Sequence, residues 1–339
     1  MAQTTVAALI DPTDLPQRIK YGVLFHVKFH GMKICSLLPS ATEILFALGL
    51  DDEIVGVSHE CDFPSEAKSK SVVIKSRISH RESAATIDRQ VREFLERGES
   101  LYTVDLELLR DIEPDLIVTQ DLCQVCAATP DDLIAGLAQL RNKPRIVTLN
   151  AHSLADVCAD IRKVSEATGT TERGDILIAE FEEKIANVET SVLGLDHPRV
   201  LCLEWLDPLY VAGHWVPEMV ERAGGVDVLG QRGKQSFRVE WDDVMEARPD
   251  MIIIMPCGYD LAAAEAEFHN FPVPKGWEDM PAVKEAQVFV VEASGYFSRP
   301  GPRLSIGLEV LASALHSTKR DHLPKRSSDG MLVRVASVG

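Results

Sequence analysis

Thr171-Glu-Arg-Gly-Asp-Ile-Leu-Ile-Ala-Glu-Phe-Glu-Glu-Lys-Ile-Ala-Asn-Val-Glu-Thr-Ser-Val-Leu-Gly-Leu195 is the stretch that decides how this chain is organised. Its apolar residues recur at steps of three and four, which is the period of one face of an α-helix. These residues are Ile178, Phe181, Ile185, Val188 and Val192. Gly174 weakens the first turn and favours Asp175 as an alternative start. The stretch predicts one helix of about twenty residues, which would span roughly 30 Å.

Two segments on either side of this helix resemble each other. Each has a helical turn, a Pro-Asp break and a continuous apolar run typical of a buried parallel strand. They are Leu109-Arg-Asp-Ile-Glu-Pro-Asp-Leu-Ile-Val-Thr119 and Val244-Met-Glu-Ala-Arg-Pro-Asp-Met-Ile-Ile-Ile254. A looser pair, Thr42–Gly49 and Pro217–Gly224, has a helix that ends on glycine in both copies. Because the matches keep the same order, they predict two related α/β lobes with mostly parallel, Rossmann-like sheets, joined by the central helix.

These patterns divide the chain into five parts. We expect an N-terminal extension over 1–31, a lobe over 32–170, the connecting helix over 171–195, a second lobe over 196–317 and a tail over 318–339. Residues 318–339 are charged and Ser-rich, which is typical of a mobile tail. Strand-like apolar runs occur at 33–38, 54–57, 116–119, 145–149, 199–203, 251–255 and 288–291.

Composition narrows the class of protein. The chain has 339 residues, of which 45% are apolar and 26% charged, so it is a globular protein with room for two cores. Its formal net charge of −17 disfavours nucleic acid and anionic membrane surfaces as partners. No apolar run approaches the roughly 18 residues of a membrane span, so membrane insertion is not expected.

The beginning of the sequence and its cysteines bear on location. Residues 1–31 lack the basic start, longer apolar segment and cleavage site of a secretory signal. Cys35 follows Met32-Lys-Ile, so it does not resemble a lipid-anchored cysteine. Seven cysteines, an odd number, do not indicate a disulfide framework. We expect a cytoplasmic protein, for which Met1 and Met32 are alternative natural starts.

Chemically distinctive residues gather where the predicted strands end. In parallel α/β sheets the carboxyl edge is where ligands bind, so these residues predict a ligand cleft between the lobes. In the first lobe they are Ser58, His59, Glu60, Phe63, Gln120 and Asp121. In the second lobe they are Glu204, Trp205, Tyr210, His214, Trp215, Tyr259, Tyr296, Phe297 and Arg299.

Cysteine and histidine residues in these segments indicate a possible transition-metal site. Imidazole and thiolate groups bind borderline and soft metals. The candidate ligands are His59, Cys61, Cys123, Cys126 and Cys257. A single C-x-x-C lacks the second pair that marks a structural zinc site, so for Cys123 and Cys126 buried thiols and a functional role are equal alternatives. A redox pair is a weaker alternative, because a thioredoxin-like pair opens a helix within one small domain. For Cys35, Cys158 and Cys202 we expect the role of small buried apolar residues.

Aromatic residues favour a large planar ligand. They make up only 6% of the chain, yet several follow strands of the second lobe. Their faces would cover a macrocycle while OH and NH groups reach its polar rim, although packing between elements is the alternative. Arg299 and Arg303 flank a rigid Pro-Gly-Pro turn. They could hold carboxylates of a ligand, or Arg303 could pair with an acidic residue.

The ordered motifs resemble the helical-backbone metal-receptor superfamily of class III substrate-binding proteins, and within it the cobalamin-binding branch. Three motifs carry most of the resemblance: Ser36-Leu-Leu-Pro-Ser-Ala-Thr-Glu43, Gly56-Val-Ser-His-Glu-Cys-Asp-Phe-Pro64 and Ser298-Arg-Pro-Gly-Pro-Arg303. Further matches are Ile112–Ile117, Ala223–Gly225 and Ala247–Asp250. The resemblance implies two lobes on one rigid helix, with cobalamin or another corrinoid, or a related metal chelate, bound between them. In secreted relatives one glutamate per lobe docks on an ABC transporter, and the matching positions here are Glu107 and Glu221.

Three classes of function remain open. The first, which we favour, is a cytoplasmic receptor or carrier for a corrinoid or related metal chelate. The second is a binding protein for a transition-metal ion or cluster that uses the cysteine and histidine set. The third is a cysteine-dependent enzyme acting on a corrinoid, but the sequence shows no nucleophile, base and orienting group at recognisable spacing.

Overall fold

The computed structural model describes residues 31–79, 82–120, 140–316 and 331–335. Their contacts divide the chain into two compact units. The first unit runs up to Glu180 and takes in Pro300–Pro302, and the second unit contains the rest of the described chain from Phe181 onward. The boundary between the units therefore falls inside the central helix.

The first unit is an α/β structure built on one six-stranded sheet. Its strands are β1 (Ile34–Ser36), β2 (Ile54–Ser58), β3 (Ser71–Ser76), β4 (Tyr102–Val104), β5 (Leu116–Gln120) and β6 (Arg145–Leu149). They lie in the order β4-β3-β2-β1-β5-β6, and only the pair of β3 and β4 is antiparallel. The helices are α1 (Pro39–Ala47), α2 (Ala84–Glu96), α3 (Leu106–Ile112) and α4 (Leu154–Thr168), with a 3-10 helix at Ser65–Ser69.

The second unit repeats this plan with antiparallel additions. Its strands are β7 (Arg199–Leu206), β8 (Leu209–Val211), β9 (Val226–Asp227), β10 (Phe237–Arg238), β11 (Met251–Ile254), β12 (Val288–Val291) and β13 (Leu332–Arg334). The order is β10-β8-β7-β11-β12-β13, and β9 pairs with the start of β7. The strands β7, β11 and β12 are parallel, whereas β8, β10 and β13 run antiparallel to their neighbours.

Seven helices accompany these strands along the described chain from Thr171 onward. They are α5 (Thr171–Ser191), α6 (Val216–Arg222), α7 (Trp241–Ala247), α8 (Leu261–Asn270), α9 (Pro281–Lys284), α10 (Ala293–Tyr296) and α11 (Leu304–Leu315), with a 3-10 helix at Trp277–Asp279. None of the helices in the described ranges combines the length and the apolar character needed to cross a bilayer.

The central helix confirms the prediction from its apolar stripe. All five stripe residues are buried. The helix starts at Thr171 rather than at Asp175, and Gly174 lies inside it. A β-carbon at Gly174 would lie 2.3 Å from the Oγ atom of Ser165 in α4. The glycine therefore lets α4 and the first turn of α5 approach each other closely, which offsets its low helix propensity.

The sequence repeat is also a repeat of hydrogen bonds. In the first unit the Asp115 carboxylate accepts from the backbone N–H of Lys33 at 2.8 Å, and the Asp115 N–H donates to the Lys33 carbonyl at 2.8 Å. In the second unit the Asp250 carboxylate accepts from the Arg199 N–H at 2.9 Å, and the Asp250 N–H donates to the Arg199 carbonyl at 2.8 Å. The Pro-Asp break thus has the same task in both units: it ties the start of β5 to β1 and the start of β11 to β7.

The helices before these breaks end in the same way. Glu113 and Arg248 follow α3 and α7 in the left-handed region, at φ 49° and 45°. Because a proline comes next, neither helix can continue. The Lys33 ammonium donates to the Ile112 carbonyl at 2.8 Å, and the Arg199 guanidinium donates to the Ala247 carbonyl at 2.7 Å. A cationic side chain just before β1, or at the start of β7, therefore binds the carbonyl end of the helix.

The C-terminal residues correct one expectation. Leu332–Arg334 form β13, which pairs antiparallel with β12, so the prediction of a mobile tail is wrong for this segment. Its apolar residues Leu332, Val333 and Val335 are buried. The prediction was based on the composition of 318–339 as a whole, which is mostly charged and Ser-rich, and such an average does not reveal a short strand. The rest of the predicted tail, and residues 1–30 of the predicted extension, lie outside the described residues.

The role of β13 can be tested with one pair of variants. Val333→Asp would place a carboxylate in the core of the second unit, where Val333 is 7% exposed. We expect it to lower the free energy of unfolding by at least about 2 kcal/mol. Val226→Asp makes the same change at a residue that is 46% exposed, and should cost no more than about 0.5 kcal/mol. Urea unfolding measures both, and equal small effects would contradict the packing of β13.

Candidate functional site

The segment after β2 is held by its own polar groups. Ser58 ends β2 and is 3% exposed. The backbone N–H of Ser76 points at the Nε2 atom of His59, 3.4 Å away, and can only donate. The Nδ1 atom of His59 then carries the proton and faces the Ser58 hydroxyl, also at 3.4 Å. Both ring nitrogens of His59 therefore face groups of the protein, and the Glu60 carboxylate lies 3.9 Å from Nε2, so the ring positions this segment.

Cys61 is a buried thiol in this segment. It is 4% exposed, and the Thr42 hydroxyl lies 3.0 Å from its sulfur atom. Cys257 is exposed. Cys123, Cys126 and Asp121 lie outside the described residues. Within the described ranges no group of three His, Cys, Asp or Glu side chains could hold a metal ion. The metal site that includes Cys123 and Cys126 stays a prediction.

Two further cysteines have the expected packing role. Burial raises the pKa of the Cys35 thiol to about 12. Burial also raises the pKa of Cys202, and the nearby carboxylates of Asp227 and Glu204 add to that effect. Both side chains therefore stay protonated near neutral pH and are neither nucleophiles nor metal ligands. Cys158 is likewise buried.

The edge of the second sheet differs from the sequence prediction at β7. We expected the strand to end at Leu203, but it continues to Leu206 and returns as β8. Trp205 and Tyr210 therefore lie opposite each other in this hairpin rather than in loops after a strand. The cause is cross-strand pairing, which local sequence does not reveal.

Trp205 carries a polar group that suits a ligand. Its ring lies 5.7 Å from that of Tyr259 in an edge-to-face arrangement. Its indole N–H is buried and has no hydrogen-bond partner among the described residues. Burial, and then the charge of Glu267, raise the pKa of Tyr259 to about 12, so its phenol stays neutral. Because a buried donor is costly without a partner, an acceptor on a bound ligand would satisfy the Trp205 N–H.

Trp215 and Phe297 are packing residues in this structure, although the sequence suggested ligand contact. Trp215 is 4% exposed, and its indole N–H donates to the Phe297 carbonyl at 2.7 Å. Phe297 is 3% exposed. His214, at φ 54°, precedes Trp215, and its carbonyl accepts from the Gly233 N–H at 2.9 Å. These contacts fix the backbone beside α10 and leave little aromatic surface for a ligand.

Arg303 packs against α10. It is 8% exposed, and its guanidinium carbon lies 5.3 Å from the centre of the Tyr296 ring. A β-carbon at Gly295 would come within 2.3 Å of the Nη1 atom of Arg303. The absent side chain of Gly295 thus makes room for the guanidinium. The sequence left Arg303 open between a contact to a ligand anion and a pair with an acidic residue, and it did not predict the packing of Arg303 against Tyr296 and Gly295.

Most of the other predicted site residues lie where the sequence placed them, but Glu204, which was expected to follow the strand, lies inside β7. Glu60 and Phe63 follow β2, Gln120 ends β5, Glu204 lies in β7, and Arg299 follows α10, all partly buried. The two predicted docking glutamates are exposed on α3 and α6. Glu221 forms an ion pair with Arg232 at 3.3 Å. The placement of a ligand cleft stays a prediction.

Comparisons with known proteins agree with this architecture. The family model described as periplasmic binding protein matches residues 34–294. An uncharacterized ABC transporter substrate-binding lipoprotein of Bacillus subtilis, YvrC, is 25% identical over 298 residues, covering 86% of this chain and 82% of the relative. The vitamin B12-binding protein of Vibrio cholerae is 24% identical over 290 residues, covering 85% of this chain and 90% of the relative. The solved heme-binding protein RhuT from Roseiflexus has the same fold, with a TM-score of 0.64 and 24% identity over 84% of this chain and 98% of its own.

Proposed function

The chain belongs to the periplasmic binding protein family, and from that premise we propose that it binds a corrinoid, a cobalamin-like metal tetrapyrrole. As a member of this family it is a solute-binding protein and not an enzyme. This excludes the cysteine-dependent enzyme that the sequence left open.

The choice of a corrinoid as the ligand rests on one observation. Vitamin B12-binding proteins match this chain at 24% identity over nearly their whole length. Other relatives of the same fold are named for heme and for Fe3+-hydroxamate transport, so the shared ligand chemistry is a metal held in an organic chelate. A bare metal ion is less well supported, because the described residues assemble no group of three metal-ligating side chains.

The second sheet offers matching chemistry. A corrinoid has broad apolar faces and a rim of amide groups. Trp205 can cover part of such a face, and its buried indole N–H can donate to a rim carbonyl. Tyr259 keeps the Trp205 ring in place through its edge-to-face contact. We therefore assign Trp205 as the main aromatic contact and exclude Trp215, whose N–H is already bonded.

Trp205→Ala should weaken cobalamin binding. Removing an indole face that shields on the order of 100 Å² of apolar surface costs roughly 2.5 kcal/mol. Binding should then fall by one to two decades, roughly, by the relation between free energy and Kd. The measurement is a calorimetric and absorbance titration of cobalamin, with haem titrated in parallel. Circular dichroism and thermal melting confirm that each variant is folded.

Trp241→Ala is the matched control. Trp241 is also a partly buried tryptophan of the second unit whose indole N–H has no partner within the described ranges, but it packs against Trp277 in the core. It should lower stability and leave cobalamin affinity unchanged. If the wild-type chain binds haem but no cobalamin at micromolar concentration, the corrinoid assignment is wrong. Equal losses of affinity in both variants would remove Trp205 from the site.

The cytoplasmic setting is a further part of this proposal. All five cysteines within the described residues are free thiols, and four of them are buried, which suits a reducing compartment. Fractionation of native cells should therefore recover the protein in the cytoplasm, and Glu107→Ala with Glu221→Ala should leave its function intact. Recovery of the protein from the periplasm, with loss of function in the glutamate variant, would instead indicate delivery to an ABC transporter.

A further inference from the structure

The short helix α10 is held on two sides within the second unit. The Ser294 N–H donates to the Tyr259 carbonyl at 3.0 Å, and the Tyr259 ring contacts that of Trp205. On another side α11 packs directly on the backbone, because a β-carbon at Gly307 would lie 2.1 Å from the Tyr296 carbonyl oxygen. The backbone of α10 is therefore fixed beside the aromatic pair that contains the proposed ligand contact.

Tyr296 is the aromatic side chain of this helix, and Arg303 packs on its ring. Ala293, Gly295 and Phe297 are buried, whereas Tyr296 is partly exposed. The guanidinium carbon of Arg303 lies over the ring, 5.3 Å from its centre. An aromatic face attracts a cation, and does so more strongly where water is excluded, as at Arg303, which is 8% exposed. With the backbone fixed, this contact favours one orientation of the Tyr296 side chain.

Gly295 provides the space in which the guanidinium lies. A β-carbon there would come within 2.3 Å of the Nη1 atom of Arg303 and within 3.0 Å of the Oε2 atom of Glu292. The backbone of Gly295 is outside the left-handed region, so space and not conformation requires the glycine. The Oε1 atom of Glu292 accepts from the Gly295 N–H at 3.0 Å and keeps this backbone in place. A side chain at this position must therefore displace the guanidinium from the Tyr296 ring.

We propose that Arg303 is a positioning residue of the binding site, which holds the Tyr296 ring in advance in the orientation that contacts the bound metal chelate. Arg303 acts through Tyr296 and not as a direct partner of a ligand anion. This role rests on the proposed binding function, but the fixed ring is a property of the free chain. A side chain that is ordered in advance loses no freedom on binding, which is worth about 2- to 10-fold in affinity.

Three variants separate this role from a general effect on folding. Gly295→Ala keeps both side chains but displaces the guanidinium, and Arg303→Ala removes it. Tyr296→Ala removes the ring through which both should act, so adding Gly295→Ala to it should cost no further affinity. Gly301→Ala is the matched control, because the nearest described atom to a β-carbon there would lie at 3.5 Å, an ordinary contact distance. Thermal melting identifies any variant that does not fold, and Gly295→Ala keeps the test valid if Arg303→Ala is one of them.

The first measurement is fluorine NMR of the free, full-length chain labelled with 3-fluorotyrosine. The chain has five tyrosines, so Tyr296→Phe assigns the signal of Tyr296. We expect this signal to shift in Gly295→Ala and in Arg303→Ala, because the ring loses the cation on its face. It should stay unchanged in Gly301→Ala, and a signal that responds to neither of the other variants would overturn the role of Arg303.

The second measurement is a titration of each variant with cobalamin and, in parallel, with haem. Gly295→Ala and Arg303→Ala should each weaken binding by about 2- to 10-fold, whereas Gly301→Ala should bind like the wild type. A wild-type chain that binds neither chelate overturns the proposed function and this role with it. If the wild type binds a chelate and the two variants bind it equally well, only the role of Arg303 is overturned. A further loss from Gly295→Ala in the chain that lacks the Tyr296 ring would overturn it as well.

Discussion

One aspartate in each unit ties together the two strands on which that unit is built. The carboxylate of Asp115 or Asp250 accepts the backbone N–H at the start of the first strand, and its own N–H donates back to the same residue. This reciprocal pair sets the register of β1 with β5 and of β7 with β11. Because the strands start in register and run parallel, they deliver their following segments to a common edge. Within each unit the candidate ligand residues depend on this alignment.

The sequence was sufficient where the signal is periodic or repeated. The stripe of α5 and the Pro-Asp segments predicted elements that the structure confirms, since burial of one face and an abrupt helix end both leave a local pattern. It was insufficient where pairing with a distant segment decides the outcome. Nothing near Trp205 shows that β7 continues into a hairpin, and nothing near Val333 shows that β12 has an open edge. The packing role of Trp215 depends on a carbonyl 82 residues away.

The two edges of the second sheet have opposite chemistry. Around the ends of the strands lie aromatic rings, a phenol that stays neutral and a buried indole N–H, a set suited to an uncharged or apolar macrocycle. At the starts of the strands, the side chains of Asp196, His197, Glu285 and His316 line an open cavity. The buried thiol of Cys202 in β7 stays protonated near neutral pH and takes no part in this chemistry.

The central claim is that the ligand is a corrinoid, and the absorption spectrum of protein purified from its native host tests it most directly. Metal analysis of the same sample accompanies the spectrum. The account predicts corrin bands with cobalt in proportion to the protein. A haem or iron–sulfur spectrum with iron and no cobalt would contradict it.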